Sequence, residues 1–235
     1  MEHFDSSKLS IDVKEIRFLN HCTSEELLEI QQNMTCASYK KGQTIFSDGS
    51  TPQGVFYVRK GVLKLVRTNN EGKEQILRFA KEGDLIGYRA LIANEPFVAT
   101  AICIDDVIAC FIPKPIFSGL LDKNFAVTKD ILQSISHELG VVEERVQSLA
   151  QKSVRERLAE TLLFLHDTFN YNDKDDAVIH ITLPREDIAN IVGTATETII
   201  RLLSEFKHDK LVELEGKKIK IVNAAKLHKI STTSV

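Results

Sequence analysis

Apolar positions along this chain keep three distinct rhythms. Residues 55–59, 62–67 and 75–79 alternate apolar and polar side chains or nearly do, and seven glycines (42, 49, 54, 61, 72, 83 and 87) punctuate the stretch they occupy. Alternation with period two puts every other side chain on one face of a pleated strand, and glycine supplies the turns, so a β-sandwich or barrel is predicted. The same texture returns at residues 99–103 and 107–112 and is closed by Pro113 and Pro115. From about residue 122 to 153 proline is absent, and Val127, Ile131, Ile135, Leu139, Val142, Val146 and Leu149 recur every three or four residues. That spacing predicts one helix of about 45 Å with a continuous apolar stripe. So long a stripe seeks a like stripe on a second copy, giving a parallel homodimer, while Leu132 and Val141 widen it enough for part to pack on the β-domain.

Residues 183–210 carry the third rhythm. Two short amphipathic helices are predicted with a break at Gly193. Ile188, Val192, Ile199 and Leu202 fall where the pair would bury apolar side chains together, and Ala189 is small enough for close approach. Thr194 stands three residues before Glu197, the spacing of a capping box that would open the second helix. With Ile199, Leu202, Leu203 and Phe206 inward, Thr196, Glu197, Ile200, Arg201 and Ser204 lie on outward or flanking positions. Residues 211–215 and 218–222 then read as strands joined by a glycine turn, a hairpin carrying Lys217, Lys218 and Lys220. A helix-turn-helix followed by such a hairpin is a winged helix. An ordinary helical pair in an all-helical core would share the amphipathicity but not the basic hairpin, so double-stranded DNA is the expected partner. Upstream, residues 1–35 read as a helical lead-in with a helix capped at Ser24. Residues 154–169 read as a further helix, 170–176 as a polar loop and 178–181 as a strand.

A chain of 235 residues suits a sensor domain (1–121), a dimerisation helix (122–152) and a DNA-binding domain (153–235). Its composition, 43% hydrophobic and 27% charged, is that of a folded protein. No apolar run approaches ~18 residues and MEHFDSSKLS lacks a basic-then-apolar signal, so a cytoplasmic location without membrane association is expected. The net charge of -3 argues against a sequence-blind DNA binder. Between Arg201 and Lys229, however, eight basic residues stand against four acidic ones, while Asp167, Asp173, Asp175 and Asp176 lie upstream. An acidic body with a locally basic face suppresses indiscriminate binding and leaves selectivity to base contacts. Cys22, Cys36, Cys103 and Cys110 are well separated and form no CxxC pair, so neither a disulfide framework nor structural zinc is expected, and most of them read as buried small apolar residues. Catalysis has no candidate residues: there is no nucleophile with a nearby base, no P-loop, and no His between Gly42 and Ile112 to build a metal-centred barrel enzyme.

The segments KKGQTIFSDGS (40–50), VFYVRKGVLKLV (55–66), EGKEQILRFAKEGDLIGYRALI (71–92) and TETIIR (196–201), in this order of elements, resemble the CRP/FNR family of bacterial transcription regulators over nearly the whole chain. The resemblance implies an α+β fold: an N-terminal cyclic-nucleotide-binding-like β-roll (a double-stranded β-helix or jelly roll), a long dimerisation helix and a C-terminal winged helix-turn-helix. It also implies a homodimer whose winged helices enter adjacent major grooves of an inverted repeat, a β-roll that senses a signal, and RNA polymerase as a further partner. Family members read DNA with a Glu and an Arg four residues apart, which match Glu197 and Arg201. Arg201 can donate a bidentate pair to guanine O6 and N7, and Glu197 can accept from a cytosine amino group, each good pair being worth ~1–3 kcal/mol of discrimination. Thr196 stands where the cyclic-AMP-responsive branch has another Arg, and Ile200 where the oxygen-sensing branch has Ser, so the outer bases of the half-site stay open.

The same resemblance implies an effector pocket at Gly87, Tyr88, Arg89, Phe97 and Val98. In the cyclic-nucleotide branch a Gly-Glu pair binds the ribose and an Arg-Ser pair clamps the phosphate. Aligned on Gly87 and on Ala99-Thr100, this chain has Tyr88 for the Glu, and Phe97 and Val98 for the Arg and Ser. A phosphate pushed against Phe97 would lose the charge-assisted bonds that offset its desolvation, so cyclic AMP in the familiar pose is not expected. The iron-sulfur cluster of the oxygen-sensing branch takes three closely spaced N-terminal cysteines plus one in the roll, a spacing that Cys22 and Cys36 do not supply. No cofactor is therefore predicted, and heme stays open because a single His or Cys suffices as axial ligand. The alternative to a DNA-binding regulator is an effector-binding protein of the same fold, for heme or another small molecule, whose winged helix does not bind DNA autonomously.

Overall fold

The computed structural model describes residues 17–69, 72, 74–169 and 180–232. The chain divides into two compact units, the first holding Leu77–Leu139 and nearly everything before it, the second holding Gly140–Val235. Residues 1–16 of the predicted lead-in lie outside the described residues.

In the first unit a 3-10 turn at Arg17–Leu19 precedes helix α1 (Ser24–Asn33). Thr23, not Ser24, opens α1: its hydroxyl accepts from the Glu26 N–H at 3.3 Å, and the Glu26 carboxylate accepts from the Thr23 N–H at 2.7 Å. That backbone bond is the main reason the Glu26 carboxyl lies below the usual carboxylate range. Strands β1 (Thr35–Tyr39), β2 (Thr44–Phe46), β3 (Gly54–Lys60), β4 (Leu63–Thr68), β5 (Glu74–Ala80), β6 (Leu85–Ile86), β7 (Thr100–Cys103) and β8 (Val107–Pro113) form two four-stranded sheets, ordered β1-β8-β3-β6 and β2-β7-β4-β5. Strands close in sequence are split between the two sheets, which is the expected roll.

Period two decides where the side chains go. On β3, Val55 and Tyr57 join one apolar cluster and Val58 the other; on β8, Cys110 and Ile112 join the first while Val107 and Ala109 join the second. The sheet β1-β8-β3-β6 is therefore covered on both faces, by the opposite sheet and by helices, which suits its nearly continuous apolar runs. Two of those helices were not foreseen: α2 (Tyr88–Ala93) and α3 (Lys114–Lys123), the latter packing Phe117 and Leu120 on the sheet. Pro115 near the start of α3 is where a helix tolerates proline, since the N–H it lacks would have had no intrahelical acceptor.

The expectation of four unpaired cysteines is corrected. Cys36 and Cys110 form a disulfide across β1 and β8, where they are directly opposite each other with Cα atoms 3.9 Å apart. Cys22 and Cys103 are free, and burial pushes both thiols up to about 11.

Helix α4 (Phe125–Gln151) has 27 residues and contributes to both units. Its apolar stripe is not uniform. Val127 and Ile131 are buried in the core of their own β-roll, so the assignment of these two to a dimer seam is corrected: roll side chains already cover them, while Ile135 packs beside them half-buried. Leu139, Val142, Val146 and Leu149 are 51–61% exposed, and Leu132 and Val141, expected to widen the packed face, are exposed as well.

The second unit continues with α5 (Val154–Phe169), β9 (His180–Thr182), α6 (Arg185–Val192), α7 (Thr196–His208), β10 (Val212–Glu215), β11 (Lys218–Ile221) and α8 (Ala224–Thr232). Its three strands are ordered β10-β11-β9. The polar loop at 170–176 and the first two residues of the strand predicted at 178–181 lie outside the described residues. The unforeseen α8 packs on α5, burying Leu227. A capping box does open α5: the Ser153 hydroxyl accepts from the Glu156 N–H, and the Glu156 carboxylate from the Ser153 N–H. No helix among the described residues is long and apolar enough to cross a membrane.

Candidate nucleic-acid interface

Helices α6 and α7 are held together by the apolar positions their sequence period implies. Ile188, Ala189, Val192, Ile199, Leu202, Leu203 and Phe206 are all under 5% exposed. Gly193 ends α6 at φ +71, a left-handed conformation that glycine adopts without a Cβ penalty. The N–H groups of Gly193 and Thr194 both return to the carbonyl of Ala189, at 2.9 and 3.1 Å. This closure overturns the capping box at Thr194. Because Thr194 is drawn into the end of α6, the N-cap of α7 falls on Ala195, whose carbonyl accepts from Thr198 and Ile199, and no side chain caps the helix. Glu197 thus sits in the first turn without a capping bond, and its carboxylate is exposed near the positive end of the helix dipole.

On the outer face of α7, Glu197, Ile200, Arg201 and Ser204 are exposed, while Thr196 is half-buried. The Ser204 hydroxyl donates back to the Ile200 carbonyl at 2.9 Å, so it presents an oxygen rather than a free proton. Arg201 Nη1 donates to Glu205 Oε1 at 2.6 Å. On the wing, Lys217 and Lys218 follow Gly216 and are exposed, whereas Lys220 pairs with Glu213, its partner in the β10-β11 register, at 3.1 Å. Five of the predicted reading residues and the two wing-tip lysines are therefore carried by α7 and the hairpin of one compact unit, with six of these seven side chains exposed.

Three arginines that sequence reasoning did not single out hold this surface in place. Arg157 on α5 donates to the carbonyls of Val192 at 3.0 Å and Lys152 at 2.8 Å, pinning the end of α6. Arg185 opens α6 and donates to the carbonyls of Gly216 at 3.0 Å and Lys217 at 3.2 Å, tying the wing turn to the helix pair. Arg155 donates to Glu205 at 3.0 Å and to Asp209 at 2.8 Å, with its guanidinium 4.8 Å from the Phe206 ring centre. The bond from Arg155 is the first cause holding the Asp209 carboxyl below its ordinary range. Nothing in local spacing marks these three, because their acceptors lie 35 or more residues away or are main-chain groups.

The residues aligned with an effector pocket have divergent surroundings. Gly87 takes φ +87 at the start of α2, and a Cβ there would meet the Phe97 ring at 3.1 Å. Phe97 is 6% exposed and stacks on Phe46 with ring centres 3.9 Å apart, filling the space between the sheets. Tyr88 is buried, and its hydroxyl donates to Glu138 Oε1 at 2.7 Å, an oxygen that Arg78 also holds. Burial first, and Glu138 second, push the Tyr88 hydroxyl well above its ordinary pKa. Arg89 is exposed and paired with Glu95 at 3.1 Å, and Val98 is exposed. Phe97, expected at the effector pocket, is thus engaged in a stacked contact of its own. Among the described residues no three His, Cys, Asp or Glu side chains converge as a metal site.

Comparison with known proteins agrees with this layout. Residues 36–124 match the cyclic nucleotide-binding domain family, and residues 156–230 match the Crp-like helix-turn-helix domain family. The chain is 31% identical over 196 residues to the fumarate and nitrate reduction regulatory protein of Vibrio cholerae, covering 83% of this chain and 78% of that one. It is also 31% identical over 189 residues to electron transport regulator A of Shewanella oneidensis, covering 80% and 75% of the two chains. The fold resembles that of FixK2 from Bradyrhizobium japonicum, with a TM-score of 0.75 and 22% identity over 86% of this chain and 99% of that one. A transcriptional regulator of the CRP/FNR family from Thermus thermophilus superposes with a TM-score of 0.73 and 21% identity, over 85% and 100% of the chains.

Proposed function

This chain belongs to the CRP/FNR family of transcription regulators, and on that premise we propose that it binds a near-palindromic DNA site as a cytoplasmic homodimer, with a β-roll that no longer carries the cyclic AMP ligands. The family consists of regulators, and the chain is not an enzyme. The observation that carries the DNA-binding reading is the exposed face of α7, where Glu197, Ile200, Arg201 and Ser204 stand on a helix whose opposite face is fully packed. In this reading Arg201 reads guanine and Glu197 reads cytosine through major-groove edges, and Lys217 and Lys218 meet the backbone. Two recognition helices related by a two-fold axis reach half-sites about one helical turn apart. The second copy docks on the exposed half of α4 at Leu139, Val142, Val146 and Leu149, whose burial at ~1.5–3 kcal/mol each is enough to offset association costs. Phe97 in its aromatic stack and Tyr88 bonded to Glu138 support the loss of nucleotide binding, since neither offers a cation to a phosphate.

Selection from a random duplex pool by the purified protein, without added effector, tests the reading. Enrichment of an inverted repeat is expected. Failure to enrich any sequence, with protein shown to be folded and dimeric, would favour an effector-binding protein whose winged helix does not act alone.

A further inference from the structure

Arg201 does not stand free on the recognition face. Its Nη1 donates to one carboxylate oxygen of Glu205 at 2.6 Å, and the other oxygen of Glu205 receives Nη1 of Arg155 at 3.0 Å. Arg155 is itself fixed from two further sides, by Asp209 at 2.8 Å and by the Phe206 ring at 4.8 Å. Phe206 is completely buried, so the chain of contacts runs from the hydrophobic core outward to the side chain expected to touch DNA. One carboxylate thus lies between two guanidinium groups, one anchored on α5 and the other on the reading position.

We propose that Glu205 is a specificity-determining positioning residue: it holds the Arg201 guanidinium over the recognition face so that the fork is offered to a base edge and not to the phosphate backbone. This rests on the reading of Arg201 as a base contact. A guanidinium has five N–H donors, and the bond to Glu205 engages one, leaving a free edge for guanine O6 and N7. An untethered arginine of the same length can reach phosphate oxygens instead, and that attraction is independent of sequence. Arg155 completes the device. By holding the second oxygen it keeps the Glu205 carboxylate from rotating away and prevents it from cancelling the whole charge of Arg201.

The test uses the full-length protein, its selected site, and the same site with one substitution at the base pair that Arg201 reads. Glu205→Ala is expected to lower discrimination between the two duplexes by roughly 3- to 10-fold, the range of one hydrogen bond, while affinity for unrelated duplex holds or rises because a carboxylate facing DNA has gone. Glu205→Gln keeps an acceptor for Arg201 and is expected to retain more discrimination than the alanine variant. Arg201→Ala with Glu205→Ala should discriminate no worse than Arg201→Ala alone, since the two residues act as one. The proposal is overturned if Glu205→Ala leaves discrimination intact, if all duplexes weaken equally, or if the two losses add. If Arg201→Ala itself leaves discrimination unchanged, it is the base-reading assignment that fails, an outcome separate from failure of the Glu205 step alone.

Discussion

In the β-roll, two of the side chains expected at an effector pocket make their contacts inside the protein: Phe97 is stacked on Phe46, and the Tyr88 hydroxyl is bonded to Glu138. In the winged helix, Glu197, Ile200 and Arg201 stay at the surface on a helix whose other face is packed as tightly as the roll interior. Both regions keep their fold through apolar burial at the expected period. They differ in what their remaining side chains can meet. An aromatic ring inside the roll is satisfied by the core around it, whereas the exposed Arg201, bonded to Glu205 through one nitrogen, keeps further donors at the surface.

Four variants break or sharpen this contrast. Val142→Asp together with Val146→Asp puts two charges on the exposed half of α4. If that half holds two copies together, roughly 3–6 kcal/mol of burial is removed, and sedimentation at micromolar concentration is expected to show monomers; a persisting dimer would move the interface elsewhere. Phe97→Ala removes a buried ring and leaves a cavity, so urea unfolding of the β-roll is expected to lose about 3–5 kcal/mol. A loss below about 1 kcal/mol would show that the ring does not fill the roll. On the exposed side the signs separate: Arg201→Ala is expected to leave stability within about 0.5 kcal/mol of the parent while costing ~1–3 kcal/mol of discrimination at one base pair. Equal loss on all sequences would contradict base reading. The smallest effect is Lys218→Ala, which should weaken binding evenly and reduce the slope of log affinity against log salt by about one.

The order of elements was legible because each has its own apolar period. Alternation at residues 55–59 and 62–67 became β3 and β4, and the three-and-four spacing from Val127 to Leu149 became α4. The outward face of α7 followed from the same rule, since side chains one turn apart share a face. Three features were not legible. The Cys36–Cys110 bond joins residues separated by 74 positions and depends on the register of β1 against β8. The capping box at Thr194 had the right spacing and failed, because the Gly193 closure claimed Thr194 for the preceding helix. Helices α2, α3 and α8 were not foreseen; α2 is only six residues long, and Pro113 and Pro115 were read as closing the strands where α3 begins.

Sequence by itself determined the two-part organisation, the winged helix and the identity of the side chains on the outward face of α7. These depend on period and residue type, which act over a few neighbouring residues. Tertiary structure alone decided that it is the end of the α4 stripe at Val127 and Ile131 that is spent inside its own chain, that Phe97 meets Phe46, and that Glu205 stands between Arg155 and Arg201. Each of these is a contact between distant segments, and which groups meet is set by the packing of whole elements, in which a shift of one residue in a strand or a quarter turn of a helix brings a different side chain to the same place.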